Sequence, residues 1–187
     1  MNLCVITLVA GLLLGVVYQV TKGPIKQAEI AAQAEAFKAV CPDADSFDEA
    51  PDLFAKAADV EGKYGSVVVD SAYKALDASG AECGCVVNVT TKEGFGGEIQ
   101  VSVGFDAEGV VTGIEFLSIN ETAGLGMNAT EESWRAQYAG KAVDEYEVVK
   151  GGASADNQID AISGATITSK AVTGAVNTAL ALVKAAQ

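Results

Sequence analysis

Residues 99–105 read Ile-Gln-Val-Ser-Val-Gly-Phe, with an apolar side chain at every second position. That period belongs to a strand with one apolar face, because residues i, i+2 and i+4 of a strand point the same way. Asp106-Ala107-Glu108-Gly109 follows as a turn ending in glycine, and Val110 to Leu117 returns with Ile114 and Phe116 on one face. Upstream, Cys83 to Val89 alternates, with Cys83, Cys85, Val87 and Val89 on one side. Val67–Val69 and Ala72–Leu76 read as short strands leading into the turn Asp77-Ala78-Ser79-Gly80. The expectation is an antiparallel meander with one face buried and the other wet.

The flanks of this meander read as helix. Thr166 to Lys184 carries Val172, Ala175, Val176, Ala179, Leu180 and Val183 at helical spacing. Glu131 to Tyr138 is a short helix bearing the chain's single tryptophan, Trp134, which is expected in the core. Tyr146 to Val149 is a strand and Lys150 to Asn157 a polar, Gly-rich loop. Ile25 to Val40 reads as an amphipathic helix with Ile30, Ala34, Phe37 and Val40 on its apolar face. Pro42 to Val60 reads as acidic surface loop with a helical turn near Leu53.

The start of the chain is different in kind. Leu3 to Val20 is 18 residues without a charge, the lower end of what spans a bilayer. Tyr18 stands where an interfacial aromatic would, Lys22 and Lys26 follow, and Gly23-Pro24 is expected to break the helix at the surface. A basic leading region and a small-x-small cleavage site before Lys22 are both missing, so an uncleaved anchor is preferred to a signal peptide. The span begins abruptly enough that residues before Met1 are expected to be absent. Gly11 and Gly15 form the spacing that lets another membrane helix approach closely.

Composition excludes several functions. There is no His, which removes His-based catalysis and His metal sites, and the net charge of −13 argues against nucleic acid. Cys4, Cys41, Cys83 and Cys85 match no zinc spacing. Cys83 and Cys85, on one face of a strand at about 6.5–7 Å, are too far apart for an unstrained disulfide and read as core residues. No catalytic residue and no metal ligand is assigned.

One segment points to a ligand. Asp160 to Ser169 reads Asp-Ala-Ile-Ser-Gly-Ala-Thr-Ile-Thr-Ser, with hydroxyls at Ser163, Thr166, Thr168 and Ser169. Ser163 as N-cap would place Thr166 in the first turn of the last helix. Free N–H groups and the positive end of the helix dipole make that turn a seat for phosphate, and Gly164 and Ala165 leave room for it. The alternative from composition is a capped helix with no ligand. Two glycine-rich loops join this segment: Gly94-Phe95-Gly96-Gly97, where the backbone could approach a flat ligand, and Glu121-Thr122-Ala123-Gly124-Leu125-Gly126 after a strand.

Asp-x-x-Ser-Gly-Ala-Thr resembles the flavinylation motif of the FMN-binding domain family, which includes the G subunit of the Rnf complex and the C subunit of the Na+-pumping NADH:quinone reductase. Both glycine loops are similar to loops of the same family, with Ala123 where its Glu-Thr-Pro-Gly-Leu-Gly loop carries proline. The resemblance covers nearly the whole chain. It implies FMN held by a phosphoester to Thr166 and attached by a separate flavin transferase. Glu121, Thr122, Gly124, Leu125 and Gly126 would then border the ring, Ser163, Gly164 and Ala165 would sit by the attachment point, and Asp160 would position the motif.

The resulting expectation is an α+β fold, an antiparallel sheet packed with helices plus one N-terminal transmembrane helix. Its divisions are residues 1–22 as anchor, 23–60 as membrane-proximal helix and acidic loop, and 61–187 as FMN-binding domain. The role implied is electron carriage within a membrane ion-translocating ferredoxin:NAD+ oxidoreductase beside other membrane and redox subunits, without catalysis by this chain alone. The domain would face the extracytoplasmic side of the cell membrane, as in the family, although Lys22 and Lys26 on the domain side run against the positive-inside rule. The alternatives are a C-type subunit of the NADH:quinone reductase, a stand-alone flavinylated reductase, and an anchored domain with no cofactor.

Overall fold

In the computed structural model the backbone is described for residues 2–187. Side chains are described at Thr7, 10–15, 17–18, Thr21 and 30–187. The chain divides into two compact units, Met1–Glu35 and Ala36–Gln187.

The second unit is built on a five-stranded antiparallel meander in the order β1-β2-β3-β4-β5: β1 (Ser46–Glu49), β2 (Val67–Leu76), β3 (Glu82–Thr91), β4 (Ile99–Asp106) and β5 (Val111–Ser118). The alternating residues behave as expected: Ile99, Val101, Val103 and Phe105 are each at most 1% exposed and join Cys85, Val87 and Val89 in the main core. The turn after β4 closes by Gly109 N–H donating to Asp106 C=O, while Asp106 Oδ1 accepts from Glu108 and Val110 N–H. The two short strands expected at 67–76 are one strand with a register shift between Val69 and Ser71.

Helix α4 (Thr166–Ala186) lies on the main core face, with Val172, Ala175, Val176, Ala179, Leu180 and Leu182 all buried. Helix α3 (Glu132–Arg135), its following 3-10 turn, and the short parallel pair β6 (Glu147–Val149) and β7 (Gln158–Asp160) close that layer. Trp134 and Tyr138 meet edge-on at 5.5 Å, and Tyr138 meets Tyr146 at 5.2 Å. Tyr138 Oη pairs with Thr173 Oγ1, and Asn177 takes both the N–H and the C=O of Tyr146.

Four expectations change. The sheet does not have one wet face: Phe37, Val40 and Cys41 pack with Ala75 and Val86 on its second side. The pair Gly104 and Gly113 allows this, since a Cβ at Gly104 would lie 2.6 Å from the Val40 carbonyl. Helix α1 runs unbroken from Asn2 to Val40 through Gly23-Pro24. Proline removes one hydrogen bond, and cooperative propagation on both sides of it sustains the helix. Residues 46–49, read as acidic loop, are β1, whose exposed acidic side chains suit an edge strand, and the helical turn expected near Leu53 is α2 (Pro51–Phe54). Cys83 and Cys85 do not share a face, because a register shift between Ala75 and Leu76 puts an extra residue into β3 at Cys83. Cys85 joins the α4-side core and Cys83 packs with the Phe37 cluster.

Of the apolar face expected on residues 25–40, Phe37 and Val40 are buried while Ile30 and Ala34 are exposed, both N-terminal to the compact unit. Among the described residues no helix is long and apolar enough to cross a membrane. Of residues 3–20, read as the membrane span, half have side chains outside those described. Among those described, the large apolar residues Leu12, Leu13, Leu14, Val17 and Tyr18 are each more than half exposed.

Candidate cofactor cleft

Three glycine loops meet at the N-terminus of α4. The first, residues 94–97, is held tightly: a Cβ on Gly96 would lie 1.9 Å from the Asn120 carbonyl, and one on Gly94 would lie 2.3 Å from that of Gly97. Glycine at both places is therefore a requirement of close approach, beyond any need for flexibility. Between them stands Phe95, 70% exposed.

The second loop follows β5. Thr122 C=O accepts from Leu125 N–H at 3.1 Å, and Gly124 sits at φ +73 within that turn. The turn is closed with Ala123 in place of proline. Glu121 starts the loop and is 9% exposed. Its Oε1 accepts from Phe95 N–H at 2.8 Å, which ties the first two loops together. Its Oε2 is buried and has no hydrogen-bond partner. Gly126 makes room for this carboxylate, since a Cβ there would lie 2.7 Å from Oε2 and 2.8 Å from Thr168 Oγ1.

The third loop leads into α4. Gly164 adopts φ +77, and a Cβ on it would meet Leu125 Cδ2 at 3.0 Å. Helix α4 starts at Thr166 with Ala165 at the N-cap position and no side-chain cap bond. Ser163, expected as N-cap, lies two residues too early and is exposed. The hydroxyl that organises the turn is Ser169. Its Oγ accepts from Ile162 N–H and donates to Ala165 C=O, both at 3.0 Å.

Together the loops enclose a cleft of about 320 Å³ lined by Phe95, Glu121, Thr122, Leu125, Gly126 and residues 164–168. Seven of the ten residues expected at the site line it: Glu121, Thr122, Leu125, Gly126, Gly164, Ala165 and Thr166. Gly124 shapes the turn beside it, and Ser163 and Asp160 do not reach it. Asp160 Oδ1 accepts from Ala153 N–H, and its carbonyl accepts from Trp134 Nε1, so Asp160 ties β7 to its neighbours and Trp134 belongs to the core. Phe95, Ile167 and Thr168 line the cleft without having been assigned to it from sequence; for Phe95 the signal was the glycine-aromatic-glycine-glycine pattern.

The cleft discriminates among the motif's hydroxyls. Thr168 and Ser169 are 1% and 0% exposed, whereas Thr166 is half-buried at the mouth of the helix. Thr166 opens α4, where the helix N–H groups are free and the dipole favours an anion. Glu121 is the one ionisable side chain among those lining the cleft. Among the described residues no group of His, Cys, Asp and Glu could hold a metal ion. An apolar cleft, a half-buried hydroxyl at a helix N-terminus and one orphaned carboxylate oxygen suit a flat, partly polar ligand with a phosphate and hydrogen-bond donors.

The FMN-binding domain family matches residues 94–181. The chain is 38% identical over 182 residues to the G subunit of the Na+-translocating ferredoxin:NAD+ oxidoreductase complex of Acetobacterium woodii, covering 94% of this chain and 85% of that protein. It is 32% identical over 179 residues to the G subunit of the proton-translocating ferredoxin:NAD+ oxidoreductase complex of Clostridium ljungdahlii, covering 96% and 86%. Among solved structures, NqrC of Shewanella oneidensis superposes with a TM-score of 0.53 at 26% identity, over 62% of this chain and 61% of that one.

Proposed function

The chain belongs to the FMN-binding domain family, in the group formed by the G subunits of ion-translocating oxidoreductase complexes, and from that premise we propose that it is the flavin-bearing electron-transfer subunit of an Rnf-type ferredoxin:NAD+ oxidoreductase. The observation that carries the reading is the convergence of both glycine loops and Thr166 on one cleft. FMN would supply the capacity to accept and pass on electrons. The chain's own residues would hold it. Thr166 Oγ1 would carry the phosphate as a phosphoester, with its remaining negative charge at the favourable end of α4. Gly164 and Gly126 would keep the floor open, Leu125 and Phe95 would flank the ring, and Glu121 Oε2 would accept from a donor of the flavin. At about 320 Å³ the cleft lies at the low end of the usual range of about 300–1,000 Å³ for ligand sites, so part of a bound flavin would stay exposed to an electron partner.

The surrounding assignments follow the same reading. A separate flavin transferase makes the attachment, as the family resemblance implies, with Thr166 supplying the acceptor hydroxyl at the cleft wall. The N-terminal run anchors the domain to the cell membrane as a single pass. Leu12, Leu13 and Leu14 sit about 100° apart around α1 and are each at least 60% exposed, which suits a helix surrounded by lipid or by partner helices. The domain then faces the extracytoplasmic side, beside other membrane and redox subunits. The Rnf-type role is favoured over that of the C subunit of the related NADH:quinone reductase because the G-type relatives match over nearly the whole chain.

The test is co-expression of the full chain with a flavin transferase, followed by denaturation and peptide mass mapping. Flavin should stay on the peptide containing Thr166, be lost in Thr166→Ala with the fold intact, and be retained in part in Thr166→Ser. Flavin mapped to Ser163, Thr168 or Ser169, or flavin released on denaturation of the wild type, would refute the attachment.

A further inference from the structure

Glu121 is expensive where it stands. It is a carboxylate 9% exposed, with one oxygen bonded to Phe95 N–H and the other buried without a partner. A buried acceptor left unsatisfied bears the full desolvation penalty of the group, and a charged one bears more. The surroundings are shaped to keep it there. Gly126 lacks the Cβ that would strike both Oε2 and Glu121 Cβ, and the latch to Phe95 fixes the side chain against the cleft. No other ionisable side chain lines the cleft, so no cationic side chain in its walls pairs with this charge.

We infer that Glu121 sets the reduction potential of the bound cofactor, acting as a fixed negative charge on a group that gains electrons. The inference rests on the reading of the cleft as the FMN site and adds a role to one residue of it. A negative charge close by raises the energy of a cofactor that becomes more electron-rich, and the effect is strong where burial limits screening. Glu121 therefore holds the potential low, which suits a carrier that must not trap electrons. The free oxygen is not left over from packing: it is the part of the carboxylate that the protein's own donors do not claim, so its charge stays available to the cofactor.

The experiment uses the full chain, loaded by co-expression with a flavin transferase, and reads the midpoint potential of the bound flavin by spectroelectrochemical titration. Glu121→Gln keeps the shape and the acceptor for Phe95 N–H and removes the charge. Its potential should move in the positive direction, and the shift should persist at high salt. Glu121→Ala removes the charge and the latch, so it should shift the same way. It should also accelerate hydrogen exchange at the Phe95 amide in the unloaded chain, which Glu121→Gln should not. Glu98→Gln, an exposed carboxylate outside the cleft, should leave the potential in place. A loaded wild type whose potential is unmoved by both Glu121 variants, or moved equally by Glu98→Gln, overturns the inference. Absence of covalent flavin from the wild type overturns the site reading itself, and the two failures are told apart by mass mapping before any titration.

Discussion

Replacing Gly126 by Ala tests how the cleft is built. The added Cβ would lie under 3 Å from Glu121 Oε2, Glu121 Cβ and Thr168 Oγ1. Two of these atoms cannot retreat cheaply, since Glu121 Cβ is fixed by its backbone and Thr168 is buried in α4. Overpacking of this kind costs about 1–3 kcal/mol. If the carboxylate swings away it also loses the bond from Phe95 N–H, about 1.5–3 kcal/mol for a charged acceptor. Restricting the unfolded chain returns about 0.4–1 kcal/mol. With the carboxylate displaced the net loss is about 1.5–5.5 kcal/mol, large against a usual stability of about 5–15 kcal/mol. Trp134, the only tryptophan, is 8% exposed and reports unfolding by its fluorescence in a denaturant titration of the full chain in detergent. Flavin loading should fall as well, because the methyl narrows the cleft floor. Combining Gly126→Ala with Glu121→Ala should cost less than the two singles added, by about 1 kcal/mol, since Glu121→Ala removes the Oε2 contact while the contacts with Cβ and Thr168 Oγ1 remain. Wild-type stability and wild-type loading in Gly126→Ala would refute the packing argument, and strict additivity would refute the assignment of the clash to Glu121.

Other outcomes follow from neighbouring parts of the structure. Ser169→Ala should lose about 1–3 kcal/mol, because Ile162 N–H is left unsatisfied in a buried turn, and denaturation midpoints will show it. Thr168→Ala should keep covalent flavin, checked by mass, since that hydroxyl belongs to a residue only 1% exposed. Burial pushes the Tyr146 hydroxyl and the Cys85 thiol each up to about 12, so both are held neutral by the fold. Their stabilising contribution is complete below the ordinary values and is lost as pH rises toward about 12, at up to about 1.4 kcal/mol per pH unit for each group. Midpoints that hold steady between about pH 9 and 12 would contradict this. Protease added to intact cells should clip the compact unit, and full protection until the membrane is broken would reverse the proposed side.

The sheet was legible where one face alone decides the pattern. Ile99 to Phe105 alternates because α4 covers one side of β4, and the Asp106–Gly109 turn was readable from its own hydrogen-bonding side chain. β1 was not legible, because Ser-Phe-Asp-Glu carries the polar composition of a loop. Its place comes from hydrogen bonds to β2, a long-range partner that local sequence does not name. The second covered face escaped for a related reason. It depends on Gly104 and Gly113 standing opposite each other and opening a notch for Val40, and a glycine in a strand reads equally well as weakness. The register shift that separates Cys83 from Cys85 was invisible for the same cause, since period-2 counting assumes an unbroken ladder.

At the cleft, the glycines spoke more clearly than the hydroxyls. Four hydroxyls in ten residues invited the first of them, Ser163, as the helix cap, because propensity ranks serine high at that position. The helix instead starts two residues after Gly164, whose φ of +77 turns the chain and delays the first helical residue to Thr166. Capping is then carried out from inside the helix: Ser169 reaches back one turn to Ala165 and also takes Ile162 N–H. This arrangement engages Ser169, buries Thr168 and leaves Ser163 outside, so Thr166 is the hydroxyl left both at the helix mouth and on the cleft wall. The choice among four similar side chains is thus made by one positive-φ glycine and one internal cap, neither of which composition weighs. Glu121 follows the same logic: the resemblance placed it at the ring, and its burial depends on the close approach of Gly96 and Gly126, which composition does not weigh.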